Sequence, residues 1–431
     1  MLRESSFRAR RNKLAQNVCL IGAIGSFIYS TPGTSESLRI DFFAVIRGAL
    51  PIICYLISFL ICPLSLVESK RKNGLPEFFL TLFILFSFLS LFWSFNPKGT
   101  LLKVINLCFT WLCVYRLPNF QQHQFQAFSL IFKIANLFVF AGILEFLLFP
   151  NLVYVQPSAF ESKRLNVLVP QIGANLFGIV AFVSLVGIIS GHVFGNQRYK
   201  VLRITFLICV VAMLVAAHSR LIFLTVILAT YYFISKKIQE TEFNSTLGLI
   251  SRFSLFIASL FTLYLSLSSP AVQSAFASFF TRGQDTHGLT TLTGRTTVWN
   301  EALEFGNQRP LVGFGFYSGH RYALGSVSSV IRSHNNLDNT WIEAYIDVGL
   351  IGVLLLVLVL VGALIRFERQ TAPYRRLTIL VWMVIVSNSF YNPGITMPSS
   401  TLIFFAYFMS VCRKSADFQF SRAMNRRNNV V

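Results

Sequence analysis

Long apolar runs alternate with short polar segments along this chain, and the length of the runs sets the first expectation. A helix needs about 20 mostly apolar residues to cross a bilayer. Twelve runs reach or approach that length: 14–30, 42–66, 77–94, 100–115, 126–149, 168–190, 201–217, 220–235, 249–268, 342–365, 376–391 and 399–412. The pattern predicts an all-α polytopic membrane protein of about twelve transmembrane helices. The shorter runs predict helices with little tilt, or with ends at the interface. Arg8, Arg10, Arg11 and Lys13 precede the first run, as in a signal peptide, but no small-residue cleavage site follows it. It reads as a retained anchor.

One polar stretch breaks the alternation. Residues 269–341 separate the ninth and tenth runs and are too long for a plain connector. Thr293 is placed to cap a helix that carries Trp299, Ala302, Leu303 and Phe305 on one amphipathic face. The following RPLVGFGFYSG, 309–319, is rich in turn residues. A second helix is expected to start near Asn335 and to continue into the tenth span. The chain then divides into a bundle of about nine spans (1–268), one large extracytoplasmic loop containing short helices (269–341), and three spans with a basic cytoplasmic tail (342–431).

Composition narrows the function classes. Hydrophobic residues make up 54% of the 431 and charged residues only 13%, with a mean hydropathy of +0.61. Soluble domains carry about 25% charged residues, so a soluble enzyme, a disordered chain and a coiled coil are excluded. The formal net charge of +20 raises nucleic acid as a partner. The basic residues, however, sit in short loops between apolar runs rather than along one face, so they read as topology signals. With both termini inside, 24 of the 37 Lys and Arg fall on inner segments and six on short outer ones. That bias predicts cytoplasmic termini and an outward-facing long loop. The seven Cys lie in or beside apolar runs and form no CxxC, so neither a disulfide nor a zinc site is expected.

Candidate chemistry gathers on the outer side. Arg220 follows His218 and Ser219 at the turn between the seventh and eighth runs, where an ionisable group is costly and often functional. The plain alternative is an arginine snorkelling to lipid phosphates. Arg295, at an expected helix N-terminus, suits an anion, and a phosphate in particular; a solvated loop arginine is the alternative. His334 stands near another expected helix start, which favours a neutral imidazole able to accept a proton. Asp338, four residues on, would share its helical face. Gly349 and Gly352, after Asp347, suggest helix packing and a close turn. Trp299, Tyr317, Tyr322 and Trp341 are candidates to stack on sugars, or to anchor at the interface. Lys133 and Glu145 in the fifth run mark either an ion path or pairing with neighbouring helices, and Arg47 lies near the outer end of the second. No D-x-D, H-E-x-x-H or G-x-x-x-x-G-K-[ST] occurs, so nothing resembles a nucleotide or metal site.

The segment TGRTTVWNEALEFGNQRPLVGFG is similar to the G-R-x-x-x-W, R/P-L and G-x-G pattern of the bacterial O-antigen ligase and polysaccharide polymerase superfamily. Gly294, Arg295, Trp299, Arg309, Pro310, Gly313 and Gly315 carry it. NTWIEAYIDVGLIG resembles the family's entry into the next span. RLNVLVPQIGANLFGIV resembles a family stretch through Arg164 and Asn175, and AHSRLIFLT matches an outer-turn arginine at Arg220. The resemblance is strongest over 293–352. It implies a membrane helical bundle with an outer loop over the site. The implied reaction moves a glycan from a polyprenyl (undecaprenyl) diphosphate carrier to an acceptor hydroxyl, with no metal, nucleotide or other cofactor. Arg220 and Arg295 would hold the diphosphate, and a histidine would be the base. The family's His-Asn pair stands about ten residues before the junction glycine. Counting back from Gly349 gives Asp338-Asn339, with His334-Asn335 one helical turn earlier, so the base is His334 or Asp338. Arg164, Arg309, Trp299, Tyr317 and Trp341 are candidate substrate contacts.

The resulting expectation is a glycosyltransferase of the bacterial cytoplasmic membrane, its site on the outer face. It would act as an O-antigen or exopolysaccharide polymerase, or as an O-antigen ligase delivering to lipid A-core or another acceptor. The partners implied are the lipid-linked glycan, a glycan or lipid acceptor, membrane lipids and polysaccharide-assembly proteins, with no nucleic acid. A lipid-linked glycan flippase is the reading from another class. It calls for repeated halves and midplane charges, whereas here the charges lie at one face and no halves match.

Overall fold

The computed structural model describes residues 2–25, 42–63, 74–120, 124–155, 164–165, 167–168, 171–172, 174–195, 199–216, 295–326, 337, 339–390, 392, 394–396 and 399–413. Helices dominate these residues: α1 (Leu2–Gly25), α2 (Phe42–Ile61), α3 (Leu75–Leu89, continued by a 3-10 turn Ser90–Trp93), α4 (Pro97–Arg116), α5 (Gln124–Leu148), α6 (Pro150–Val153), α7 (Ala174–Ile189), α8 (Lys200–Ala216), α9 (Arg295–Gly306), α10 (Ser318–Ser326), α11 (Thr340–Glu368), α12 (Ala372–Ser389) and α13 (Ser400–Arg413). Ten of the twelve apolar runs fall on described helices; 220–235 and 249–268 lie outside the described residues. Among the described residues, four helical segments are long and apolar enough to cross a membrane: Leu75–Trp93, Pro97–Phe120, Gln124–Leu148 and Thr340–Glu368. The architecture is that of an all-α membrane protein.

Two small departures stand out. Tyr154–Val155 (β1) pairs antiparallel with Arg164–Leu165 (β2), and Val167–Leu168 (β3) with Gln171–Ile172 (β4). The sixth span therefore starts at Ala174, not at 168 as its apolar run suggests. Pro170 explains the shift, since it disfavours helix at Val169 and cannot donate a backbone bond of its own.

The helices pack as α1 on α2 and both on α4, α5 on α7, α7 on α8, and α3 along α11. The last pair is antiparallel. At one end the Arg366 guanidinium forks onto the Glu77 carboxylate, which also accepts the Tyr115 hydroxyl. Arg366 donates further to the Met409 carbonyl at 3.3 Å, so one buried ion pair ties α3, α4, α11 and α13 together. Such a pair adds little net stability but penalises any slip of α11 along α3. Close approach is possible because Gly362 faces Pro76, whose backbone N lies 3.1 Å from where a Cβ would stand. Phe128, Phe132, Phe177, Phe182, Phe405 and Phe408 fill the core between α5, α7 and α13. Of the two charged residues in α5, Lys133 lies on the exposed face rather than inside the bundle.

At the other end of α11, the segment that holds α9, the turn after it and α10 docks. Gly349 interrupts the helix at φ +68, ψ −170. The backbone groups freed by this kink are taken up by the turn after α9: the Leu350 amide donates to the Pro310 carbonyl (2.8 Å) and Ile351 to Leu311 (3.3 Å). In return Phe314 donates to Ile346 (2.9 Å) and Gly315 to Asp347 (2.8 Å). A Cβ at Gly349 would strike the Leu311 carbonyl and come within 2.5 Å of the Val312 nitrogen. The packing-and-close-turn reading of this glycine thus has a concrete form. Gly349→Ala is expected to cost about 1–3 kcal/mol through the left-handed backbone alone, seen as a lower thermal midpoint of the detergent-solubilised protein. An unchanged midpoint would show that the kink relaxes at no cost.

Candidate functional site

The site is built where five pieces meet: the end of α3, the start of α4, the turn 310–317, α10 and the first two turns of α11. Asn96 caps α4 by accepting from the Gly99 amide at 3.0 Å, with Pro97 following at the position where its missing N–H costs nothing. The α3–α4 junction then grips the turn through hydroxyls. Ser94 shares hydrogen bonds with Ser318 (2.6 Å) and Thr100 (2.8 Å); Thr100 donates to the Phe316 carbonyl (2.7 Å), and the Phe316 amide donates to Ser90 (2.9 Å). Trp93 donates to the Val312 carbonyl at 3.1 Å.

These contacts account for the G-x-G of the turn. Gly313 and Gly315 have φ +66 and +106. A Cβ on Gly313 would lie 2.5 Å from the Asp347 carbonyl group, and one on Gly315 would meet Ser94, its Cα at 2.6 Å. Only a chain without side chains passes between α3 and α11 at that height.

Asp347 is the hub. Its carboxylate is buried and accepts the Tyr317 amide (2.8 Å), the His320 amide (2.9 Å) and the His320 imidazole, whose Nδ1 lies 2.9 and 3.0 Å from the two oxygens. Burying a carboxylate is costly unless its lone pairs are used, and here three N–H groups use them. Burial alone would push the fully enclosed His320 down. Asp347, then Glu343, outweigh it and hold the imidazole above the ordinary histidine value. The Nε2 of His320 has no hydrogen-bond partner among the described residues.

Tyr317 lies over this pair. It is a non-glycine residue with φ +64, a strained conformation for a bulky side chain. Lys103 Nζ sits 4.3 Å from its ring centroid and the Arg321 guanidinium 5.3 Å, while the His320 ring meets it edge-on at 5.4 Å. Alongside runs an aromatic file: Tyr322 stacks on Phe95 at 3.9 Å and Phe305 on Phe314 at 4.3 Å, with the Arg309 guanidinium 5.1 Å from Phe314.

The residues singled out from the sequence are distributed as follows. Arg295 is the first residue of α9, the helix expected there, and Val298 and Ala302 bury its inner face. Trp299 donates from Nε1 to the Leu337 carbonyl at 2.7 Å, so it fastens α9 to the approach to α11. Arg309 is exposed in the turn after α9. Trp341 opens α11 against Phe390, ring centroids 5.8 Å apart. Arg164 lies on β2 opposite Val155, and Arg47 lies on α2. Arg220, His334 and Asp338 lie outside the described residues. The helix expected from about Asn335 begins later, at Thr340. Asn339 is extended, and its side chain accepts the Trp341 and Ile342 amides at 3.0 and 3.2 Å, the geometry of a helix cap. His320, Lys103 and Glu343 were not singled out in the sequence. Their grouping depends on the kink at Gly349, which brings residues 27 apart into contact. Among the described residues no three His, Cys, Asp or Glu are grouped to hold a metal ion, and all seven Cys are free.

Residues 204–357 match the family model described as O-antigen ligase. A stretch of 85 residues is 36% identical to the exopolysaccharide production protein ExoQ of Rhizobium meliloti (strain 1021). That match covers 17% of this chain and 18% of the relative's length. The resemblance to the O-antigen ligase and polysaccharide polymerase superfamily is thereby borne out. The matched 204–357 contains the turn 310–317, α9, α10, the Asp347 hub and the Gly349 kink.

Proposed function

We propose that this chain is a membrane glycosyltransferase of surface polysaccharide assembly. It moves a glycan from a polyprenyl diphosphate carrier to an acceptor hydroxyl, acting as a polymerase. The observation that carries the reading is the family match over 204–357, because that segment holds Arg220, Arg295, His334 and Asp338 together with the folded turn described above. The chemistry fits those residue types. The departing diphosphate gathers negative charge, which arginine forks at Arg220 and Arg295 would stabilise. His334 or Asp338 would accept the proton of the attacking hydroxyl, a contribution of about 10²–10⁴-fold. Arg164, Arg309, Trp299 and Trp341 are the further substrate contacts. The carrier's tail would lie in lipid between helices, with the site on the outer face of the cytoplasmic membrane.

The printed description of the matching family favours a second reading, ligation of the finished glycan to lipid A-core or another acceptor. The relative's name, exopolysaccharide production, sits better with polymerisation. Deleting the gene and resolving surface and lipid-linked polysaccharide on a gel separates them. A polymerase leaves single repeat units without long chains, whereas a ligase leaves long chains stranded on the carrier. A profile unchanged in both fractions would count against transfer and return the flippase reading.

A further inference from the structure

Tyr317 is built differently from a sugar platform. Asp347 accepts its amide at 2.8 Å, its backbone is left-handed at φ +64, and its ring meets the His320 ring edge-on at 5.4 Å. Strain of this kind persists where surrounding structure enforces it, and such positions concentrate in functional sites. Two cations already lie over the ring, Lys103 Nζ at 4.3 Å and the Arg321 guanidinium at 5.3 Å. The ring therefore already has two charged neighbours. Tyr317 is also the half-exposed member of the group, while His320 and Asp347 are sealed below it. The phenol is thus the half-buried polar group of the cluster, with two cations beside its ring and Lys103 hydrogen-bonded to its hydroxyl.

We propose that Tyr317, with Lys103 and Arg321, receives the leaving diphosphate and donates a hydrogen bond to one of its oxygens. The inference rests on the glycan-transfer reading above. In the step, the acceptor oxygen bonds to the anomeric carbon while the bond from that carbon to the diphosphate oxygen breaks, its electron pair leaving with the diphosphate. The acceptor's proton passes to the base, and Tyr317 keeps its own proton throughout. Such donors, aimed where charge develops, are worth most in a site shielded from water.

Among the described residues, the charged and titratable groups facing the phenol are Lys103 from α4, His320 and Arg321 from α10 and, acting through His320, Asp347 and Glu343 from α11. Burial would push the phenol up, but Lys103 first, then Arg321 and His320, bring it down to about 8. The donor form therefore prevails at neutral pH and is lost as pH rises through that value.

Binding of geranylgeranyl diphosphate, a short polyprenyl diphosphate, to the full chain in detergent tests the assignment, with inorganic diphosphate as competitor. Tyr317→Phe is expected to weaken binding about tenfold or more. Wild-type affinity should fall more steeply between about pH 7 and 9 than that of Tyr317→Phe, whose remaining slope reports His320 and the ligand's own ionisation, and Lys103→Met should move the extra fall to higher pH. The tyrosinate absorbance lost in Tyr317→Phe, titrating near pH 8 in the wild type, reports the intact cluster independently of binding. Equal affinity and equal pH profile in wild type and Tyr317→Phe would overturn the assignment. If Arg295→Ala weakens binding and Tyr317→Phe does not, the transfer reading survives and this one fails. A wild-type protein that binds neither diphosphate overturns both.

Discussion

Replacing Asp347 with alanine is expected to cost about 3–5 kcal/mol of stability, the range for breaking a buried charge pair by removing one partner. Three N–H groups from the opposite side of the turn end on its carboxylate, and none has an evident substitute: the Tyr317 amide, the His320 amide and the His320 Nδ1. The loss should be local in consequence. The turn 310–317 and α10 would loosen from α11, whereas the Glu77–Arg366 pair at the other end of α3 and α11 would remain. Asp347→Asn keeps the shape and one acceptor oxygen, so it should fall between the two. The pH dependence gives a second, sharper readout. His320 is held above its ordinary value in the folded protein, so its stabilisation is full below about pH 6.5 and is lost as pH rises through the raised folded-state value. Without Asp347, burial, already the largest single influence on the imidazole, is opposed by Glu343 alone, and stability should instead fall as pH drops. Thermal midpoints of wild type, Asp347→Asn and Asp347→Ala across that range measure both effects. A common midpoint and a common slope would mean that the hub carries no load.

The parts of this molecule that could be read in advance are those governed by local pattern. Apolar runs found ten described helices because a segment buried in lipid or core must satisfy its own backbone. The α9 face was visible in part: Trp299, Ala302, Leu303 and Phe305 repeat at helical spacing beneath the capping signal, and of these Ala302 and Phe305 join Val298 in the buried cluster. Two helix starts were misplaced for opposite reasons. At the sixth span the apolar character runs on through Val167–Ile172, and Pro170 turns those residues into a strand pair. At α11 the pattern suggested an earlier start, and Asn339 delays it by serving as the cap. The hub itself had no sequence signature. His320 and Asp347 are paired by the Gly349 kink, and the left-handed backbone of Tyr317 leaves no trace in a side chain that is ordinary elsewhere. Lys103, which lies within the apolar run 100–115, proves to be a neighbour of Tyr317. Trp299, read as a sugar platform or interface anchor, also bonds the Leu337 carbonyl through Nε1, a contact its sequence position did not reveal.

On the proposed reading, Arg295→Ala should lower transfer about 10²–10³-fold, equivalent to about 2.7–4 kcal/mol of barrier, by analogy with the loss of one oxyanion-hole donor. The structural setting allows that loss to be read cleanly. Arg295 is the first residue of α9, where the free backbone amides already favour an anion. Other contacts hold this helix in position. Trp299 holds it to Leu337 at 2.7 Å, Val298 and Ala302 bury it against Ile346 in a shared core, and the Tyr345 hydroxyl donates to Asn307 just beyond its end at 2.7 Å. The variant should therefore insert and melt like the wild type while failing to transfer. Arg295→Lys restores charge without the two-pronged fork and should recover only part of the rate. The measurement is transfer of a labelled lipid-linked glycan in proteoliposomes at matched protein content, with the thermal midpoint taken on the same preparations. A rate within a fewfold of wild type in Arg295→Ala would remove the residue from the diphosphate site. A lost rate accompanied by a lowered midpoint would instead assign Arg295 to holding the start of α9.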